Sequence, residues 1–139
     1  SVSDANANAN NVQQSKIPAT YKFDPKEEHL VMFCFRVQEQ RTKGVQAGIE
    51  DFNKFKFGSL QLATDITMFN AIDGVITVKE FTNKNQAVIY MNSLKKTKQL
   101  FREYEEREYQ IVMISKSNFN KLAADKDLTG YIRFFKSKY

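Results

Sequence analysis

His29-Leu30-Val31-Met32-Phe33-Cys34-Phe35-Arg36 reads as a strand, and its composition sets the layering of the whole chain. Side chains alternate across a strand, so Val31, Phe33 and Phe35 face one side, and Leu30, Met32 and Cys34 the other. Apolar residues on both faces mark a central strand whose two faces are covered. A strand expected over Gln110 to Ser115, with Ile111-Val112-Met113-Ile114, reads the same way.

Between these strands the pattern alternates in period. From Lys43 to about Lys56, Val45, Ile49, Phe52 and Phe55 or Lys56 recur at helical spacing, and Gly58 is placed to end that helix. Leu60, Leu62 and Ile66 alternate with polar residues through about Met68, as in a half-buried strand. Asn70-Ala71-Ile72-Asp73-Gly74 carries an Asp-Gly turn signal. Val75 to Phe81 is then the second arm of a hairpin, with Ile76 and Val78 on one face. Thr82 is a good N-cap for a helix whose stripe is Ala87, Tyr90, Met91 and Leu94. Lys95 to Tyr109 stays helix-compatible and highly charged. After the last strand, Ser115 or Ser117 can cap one short helix and Asp127 another. Their apolar residues are Phe119 and Leu122, then Leu128, Tyr131, Ile132 and Phe135.

The predicted order is β-α-β-β-α-β followed by α-α. This is an α+β chain with the ferredoxin-like split βαβ pattern and a C-terminal helical extension. The two helices between the strands can cover only one sheet face. The amphipathic stretch from Phe119 to Phe135 is therefore expected to fold over the other, beside the last strand. The 139 residues suit one domain, and 42% hydrophobic content with twelve Phe and six Tyr is enough for a core. That domain is expected over residues 21–139. Residues 1–20, with the run Asn-Ala-Asn-Ala-Asn and no apolar periodicity, are expected to be a flexible linker or tail.

Composition narrows the functional classes. The formal net charge of +5 permits an acidic partner without demanding one, because Lys and Glu are interspersed. The lone Cys34, inside an apolar run, reads as a small buried hydrophobe. The lone His29 starts the same strand, where extended geometry holds it away from Cys34, so a Cys-His nucleophile and a zinc site are both disfavoured. Glu103, Glu105, Glu106 and Glu108 interleave with Arg102 and Arg107. On a helix, Arg102–Glu106 and Glu103–Arg107 would be solvated i,i+4 pairs. Five scattered glycines form no phosphate loop. No catalytic residue, cofactor or metal ligand is expected, and the ligand-binding residues stay open.

RNA binding on such a sheet needs aromatics stacked on an open face. Val75-Ile76-Thr77-Val78-Lys79-Glu80-Phe81 lacks them, and Lys95, Lys96 and Lys98 lie on a helix, so nucleic acid is disfavoured. Tyr21, Phe23, Phe55 and Phe57 are candidate surface aromatics, although such residues more often fold back on the core. No apolar stretch approaches the length that spans a bilayer. The chain begins at Ser1 rather than Met, as a processed fragment would, with any targeting signal expected upstream.

Two stretches carry family resemblances. Val78-Lys79-Glu80-Phe81-Thr82-Asn83-Lys84-Asn85-Gln86-Ala87, with Tyr90-Met91-Asn92-Ser93-Leu94, resembles the strand-to-helix junction of the sporulation-related repeat (SPOR), a peptidoglycan-binding domain. More broadly, Tyr21 to Tyr139 resembles the C-terminal domain of tetratricopeptide-repeat lipoproteins of Bacteroidetes, associated with gliding motility and type IX secretion. Five stretches carry that likeness: Phe23-Asp24-Pro25, Asp51-Phe52-Asn53-Lys54-Phe55, Val78-Lys79-Glu80-Phe81, Ile114-Ser115-Lys116-Ser117-Asn118-Phe119 and Tyr131-Ile132-Arg133-Phe134-Phe135-Lys136-Ser137-Lys138-Tyr139. The second resemblance implies a periplasmic cell-envelope location, a lipid-anchored parent protein, a natural end at Tyr139, and a role in assembly rather than catalysis. It contributes no site residues. The expectation is a protein-interaction or scaffolding domain with a protein partner in the envelope; the alternative is a SPOR-like module whose ligand is peptidoglycan. A scaffold is expected to present an apolar patch, and a glycan reader a polar groove with exposed aromatics.

Overall fold

The computed structural model describes residues 21–36 and 39–139, so the expected linker over residues 1–20 lies outside the described residues. The elements are β1 (His29–Arg36), α1 (Glu39–Phe57), β2 (Ala63–Met68), β3 (Asp73–Phe81), α2 (Lys84–Lys96), β4 (Tyr109–Ser115), α3 (Lys116–Asp125) and α4 (Leu128–Lys138). The fold is α+β: four helices and one four-stranded sheet among the described residues, ordered β2-β3-β1-β4. Every neighbouring pair is antiparallel.

β1 is central, and its two faces feed two cores. Val31, Phe33 and Phe35 join Ile76, Val78, Ile111 and Met113 under Val45, Ile49 and Phe52 of α1 and Ala87, Tyr90, Met91 and Leu94 of α2. Leu30, Met32 and Cys34 join Val75, Val112 and Ile114 under Leu122, Tyr131 and Phe134 of the C-terminal helices. The register explains the sharing, since Val31 and Phe33 stand opposite Met113 and Ile111, while Leu30 and Met32 stand opposite Ile114 and Val112. The tail thus covers the second face beside β4, as its amphipathic pattern predicts. Phe134 replaces Phe135 as its buried aromatic; Phe135 is only partly buried and touches both cores.

Local chemistry differs from expectation at several joints. Asn83, not Thr82, caps α2, its side chain accepting from the Gln86 amide at 3.0 Å. The hairpin turns at Asn70, whose Oδ1 accepts from the amides of Ile72 and Asp73 at 2.7 and 2.8 Å. Asp73 and Gly74 belong to β3, and a Cβ on Gly74 would stand 2.6 Å from Met68 Sδ, which explains the glycine. α1 does stop before Gly58, but the left-handed residue is Gln61, with φ 52°. Leu60 lies in a 3-10 turn rather than in the strand. An extra residue in β3, between Val78 and Phe81, resets the alternation, so Phe81 enters the same core as Val78 and meets the Tyr90 ring at 5.0 Å.

The expected helical run from Lys95 to Tyr109 is not continuous. α2 ends at Lys96, and 3-10 turns follow at Lys98–Phe101 and Glu106–Glu108. Phe101 and Tyr104 leave the charged surface to pack on Phe33, at 5.1 and 5.6 Å between ring centres. Burying two large rings outweighs the small helix propensity of the run. The expected Arg102–Glu106 and Glu103–Arg107 pairs are therefore replaced by Lys98–Glu106 at 3.6 Å, Arg107–Glu105 at 3.0 Å and Arg41–Glu108 at 3.3 Å.

Candidate interaction site

β2 is the strand the cores leave out. None of its residues is buried, and it forms one edge of the sheet. Opposite Val78, Ile76 and Gly74 stand Thr64, Ile66 and Met68, which puts these three on the α1/α2 side. α1 meets β2 through a polar bridge: Gln46 donates to Thr64 Oγ1 at 3.2 Å, and Thr64 donates to Glu50 at 2.7 Å. Beyond that bridge Ile66 and Met68 are 39% and 41% exposed, and Leu60 and Ile72 before and after the strand are 50% and 47% exposed. Two exposed apolar side chains, Ile66 and Met68, thus lie on one side of a strand that forms the sheet edge among the described residues.

The other face of β2 is polar. Ala63, Asp65 and Thr67 stand opposite Lys79, Thr77 and Val75, and Lys79 pairs with Asp65 at 2.9 Å. That pair raises the Lys79 pKa, by hydrogen bond first and charge second. No aromatic lies on this uncovered strip of Ala63, Asp65, Thr67 and Lys79.

A cleft of about 510 Å³ lies between α1 and the 3-10 turn after α2, lined by Arg41, Gly44, Val45, Gly48, Leu100 and Arg102 among others. Arg41 is already engaged there. Its guanidinium lies 4.2 Å over the Tyr104 ring and bonds the Glu103 carbonyl and the Glu108 carboxylate. Glu108 is held below the ordinary carboxylate range, first by a backbone amide bond with Glu105 and then by Arg41. The cleft is structural cement more than an open charge.

The remaining sequence candidates separate cleanly. Cys34 is buried, and desolvation pushes its thiol up to about 12, far from a reactive thiolate. Both ring nitrogens of the buried His29 are occupied, Nδ1 by the Glu27 carbonyl and Nε2 by the Tyr139 hydroxyl, each at 2.7 Å. Of the four candidate aromatics, Tyr21 is buried against Tyr131 and Phe134, and Phe57 packs against the first core. Phe23 is 43% exposed with its ring 5.1 Å from Tyr139, and Phe55, at 86%, stands clear on α1. Lys95 and Lys96 form the exposed last turn of α2, and Lys98 lies in the 3-10 turn beyond it. Among the described residues no three His, Cys, Asp or Glu side chains group as metal ligands would, and no helix is long and apolar enough to cross a membrane.

No family model, curated protein or solved structure matches this chain. The site therefore rests on geometry. Met68 and Ile72 carried no separate signal in the sequence, because a half-buried strand and an exposed edge strand share one alternation. The missing cue is how far α1 reaches, which only the packing sets.

Proposed function

We propose that this chain is a non-enzymatic protein-interaction or scaffolding domain of a bacterial cell-envelope protein, built as a ferredoxin-like βαββαβ sandwich with a C-terminal helical extension. The β2-β3-β1-β4 order, with all neighbours antiparallel, supports the ferredoxin-like assignment. One observation carries the interaction reading: Ile66 and Met68 stand exposed on an edge strand instead of in the core, with exposed Leu60 and Ile72 before and after it in sequence. Isolated exposed apolar residues are ordinary, but apolar side chains along a sheet edge are what an added partner strand uses. The envelope location, a lipid-anchored parent and the link to type IX secretion or gliding rest on the resemblance of Ile114–Phe119 and Tyr131–Tyr139 to the Bacteroidetes lipoprotein domain.

Peptidoglycan binding of the SPOR type draws its support from the polar strip of Asp65, Thr67 and Lys79. It lacks an aromatic platform there, and the apolar faces of β1 and β4 that an open-sheet reader would use lie under α3 and α4. The test is capture from an envelope extract, identified by mass spectrometry, with the native chain and with Ile66→Lys/Met68→Lys. A specific protein retained by the native chain and lost by the variant supports the proposal. Equal retention by both, or retention of peptidoglycan fragments alone, contradicts it.

A further inference from the structure

We propose that the β2 edge pairs with the β2 edge of a second copy of this chain, about a two-fold axis at Thr67, so that the two four-stranded sheets become one. This rests on the β2 reading above and names its partner.

The ladder between β2 and β3 decides which backbone groups face outward. Met68 stands opposite Gly74 and Ile66 opposite Ile76. One step further, the Phe69 amide bonds the Asp73 carbonyl at 2.9 Å. Bonded and non-bonded pairs alternate along an antiparallel ladder. Thr67–Val75 and Asp65–Thr77 are then bonded pairs, and Thr64, Ile66 and Met68 turn their amides and carbonyls away from β3. The outward groups of Ile66 and Met68 thus sit on the residues whose exposed apolar side chains share the α1/α2 side. Among the described residues no other strand takes these groups up. Sheet edges are commonly blunted by lysine, proline or a bulge. Ala63–Met68 has no lysine or proline, and its register with β3 is regular. Its one charge, Asp65, is held by Lys79 at 2.9 Å.

The strand is complementary to itself. A two-fold axis sets residue i against j and j against i. With Thr67 on the axis, Ile66 stands opposite Met68 of the second copy, and Met68 opposite its Ile66. Opposed residues lie on one face, so both apolar pairs meet on the α1/α2 side. Their outward amides and carbonyls face each other in the same pairs. On the polar face Thr67 meets Thr67. The two Asp65 carboxylates lie roughly 13 Å apart along the strand direction. Neighbouring registers fit less well. Centring on Ile66 sets Met68 against Thr64, which is already bonded to Gln46 and Glu50, and brings the two Asp65 side chains onto a diagonal. Centring on Asp65 opposes them directly, and like charges directly opposite are destabilising. Backbone groups, apolar side chains and charge therefore agree on one register, which a second copy supplies without any further feature. A contact along one short strand is small, so the dimer is expected to dissociate on dilution.

Analytical ultracentrifugation of the purified chain from about 10 µM to about 1 mM tests the pairing. The native chain is expected to shift from monomer toward dimer as concentration rises. Ile66→Lys/Met68→Lys should stay monomeric with an unchanged circular dichroism spectrum. The register is read by disulfide trapping. Thr67→Cys places two thiols across the axis with Cα atoms about 4.5 Å apart, within disulfide reach. It should cross-link under mild oxidation at least about tenfold faster than Asp65→Cys, whose two copies are too far apart. The buried Cys34 stays in place in both variants. A native chain that is monomeric throughout, a dimer that survives the two lysines, or cross-linking at 67 no faster than at 65 would each overturn the second copy. The β2 reading fails on a different result, namely extract capture unchanged by the same lysines. A monomeric chain that still captures a protein through Ile66 and Met68 would therefore overturn self-pairing alone.

Discussion

β4 and β2 occupy opposite edges of one sheet, yet Ile111, Val112, Met113 and Ile114 are all buried while no residue of β2 is. An edge strand exposes unpaired backbone groups that invite other chains. β4 is guarded by the two C-terminal helices. α3 starts at the end of the strand, with Ser115 as cap, and Tyr131 of α4 donates to the Met113 carbonyl at 2.5 Å. The entry segment is tied into the same cover, because the Asn118 side chain bonds both the amide and the carbonyl of Lys22, at 3.1 and 2.8 Å. On β2 the side-chain ties are polar: the Gln46–Thr64–Glu50 bridge, the Lys79–Asp65 pair and a bond from Thr77 to the Asp65 carbonyl. The chain thus uses its C-terminal helices to cover the second face beside β4 and to bond one of its carbonyls, and gives β2 no such cover among the described residues.

Removing the cover should erase the contrast most visibly. Deleting residues 116–139 strips Leu122, Tyr131 and Phe134 from the second core, each large side chain contributing roughly 1.5–3 kcal/mol by burial. The loss is comparable to the whole stability of a small domain. The shortened chain is expected to unfold or aggregate, read by thermal melting and size-exclusion chromatography. An unchanged melting temperature in a monomeric product would mean that the tail is not core. Single substitutions resolve the same contrast more finely. Leu122→Ala should cost about 2–5 kcal/mol in urea unfolding. Ile66→Ala on β2 should cost under about 1 kcal/mol, as exposed sites do. Equal costs would abolish the distinction between the edges. Ile66→Lys/Met68→Lys is expected to cost as little, within about 0.5 kcal/mol per site, which is why loss of partner capture in that variant would report binding and not unfolding.

Much of this contrast is legible in the sequence because burial on two faces leaves a mark that burial on one does not. The unbroken apolar runs of β1 and β4 announce their second cover, and the spacing of Ala87, Tyr90, Met91 and Leu94 identifies the inner stripe of α2. The Lys95 to Tyr109 run misleads because its local preference is helical, whereas Phe101 and Tyr104 are drawn to Phe33, far away in sequence. Phe134 and Phe135 are adjacent, and a one-residue rotation of α4 decides which is buried. Asn70 and Asn83 outdo Asp73-Gly74 and Thr82 because their side-chain oxygens reach the nearby amides in the actual backbone path. The interaction edge is the least legible, since Ile66 reads as half-buried until the reach of α1 is known.

Whether partners meet this domain along β2 can be read by site-directed photo-crosslinking. A photoreactive side chain placed at Ile66 is compared with one at Ile89, which is 58% exposed on α2 and lies off the edge. In an envelope extract a discrete crosslinked protein is expected from position 66 and none from position 89. Crosslinking from 89 with silence at 66 would contradict the β2 interface and move it to the helical face.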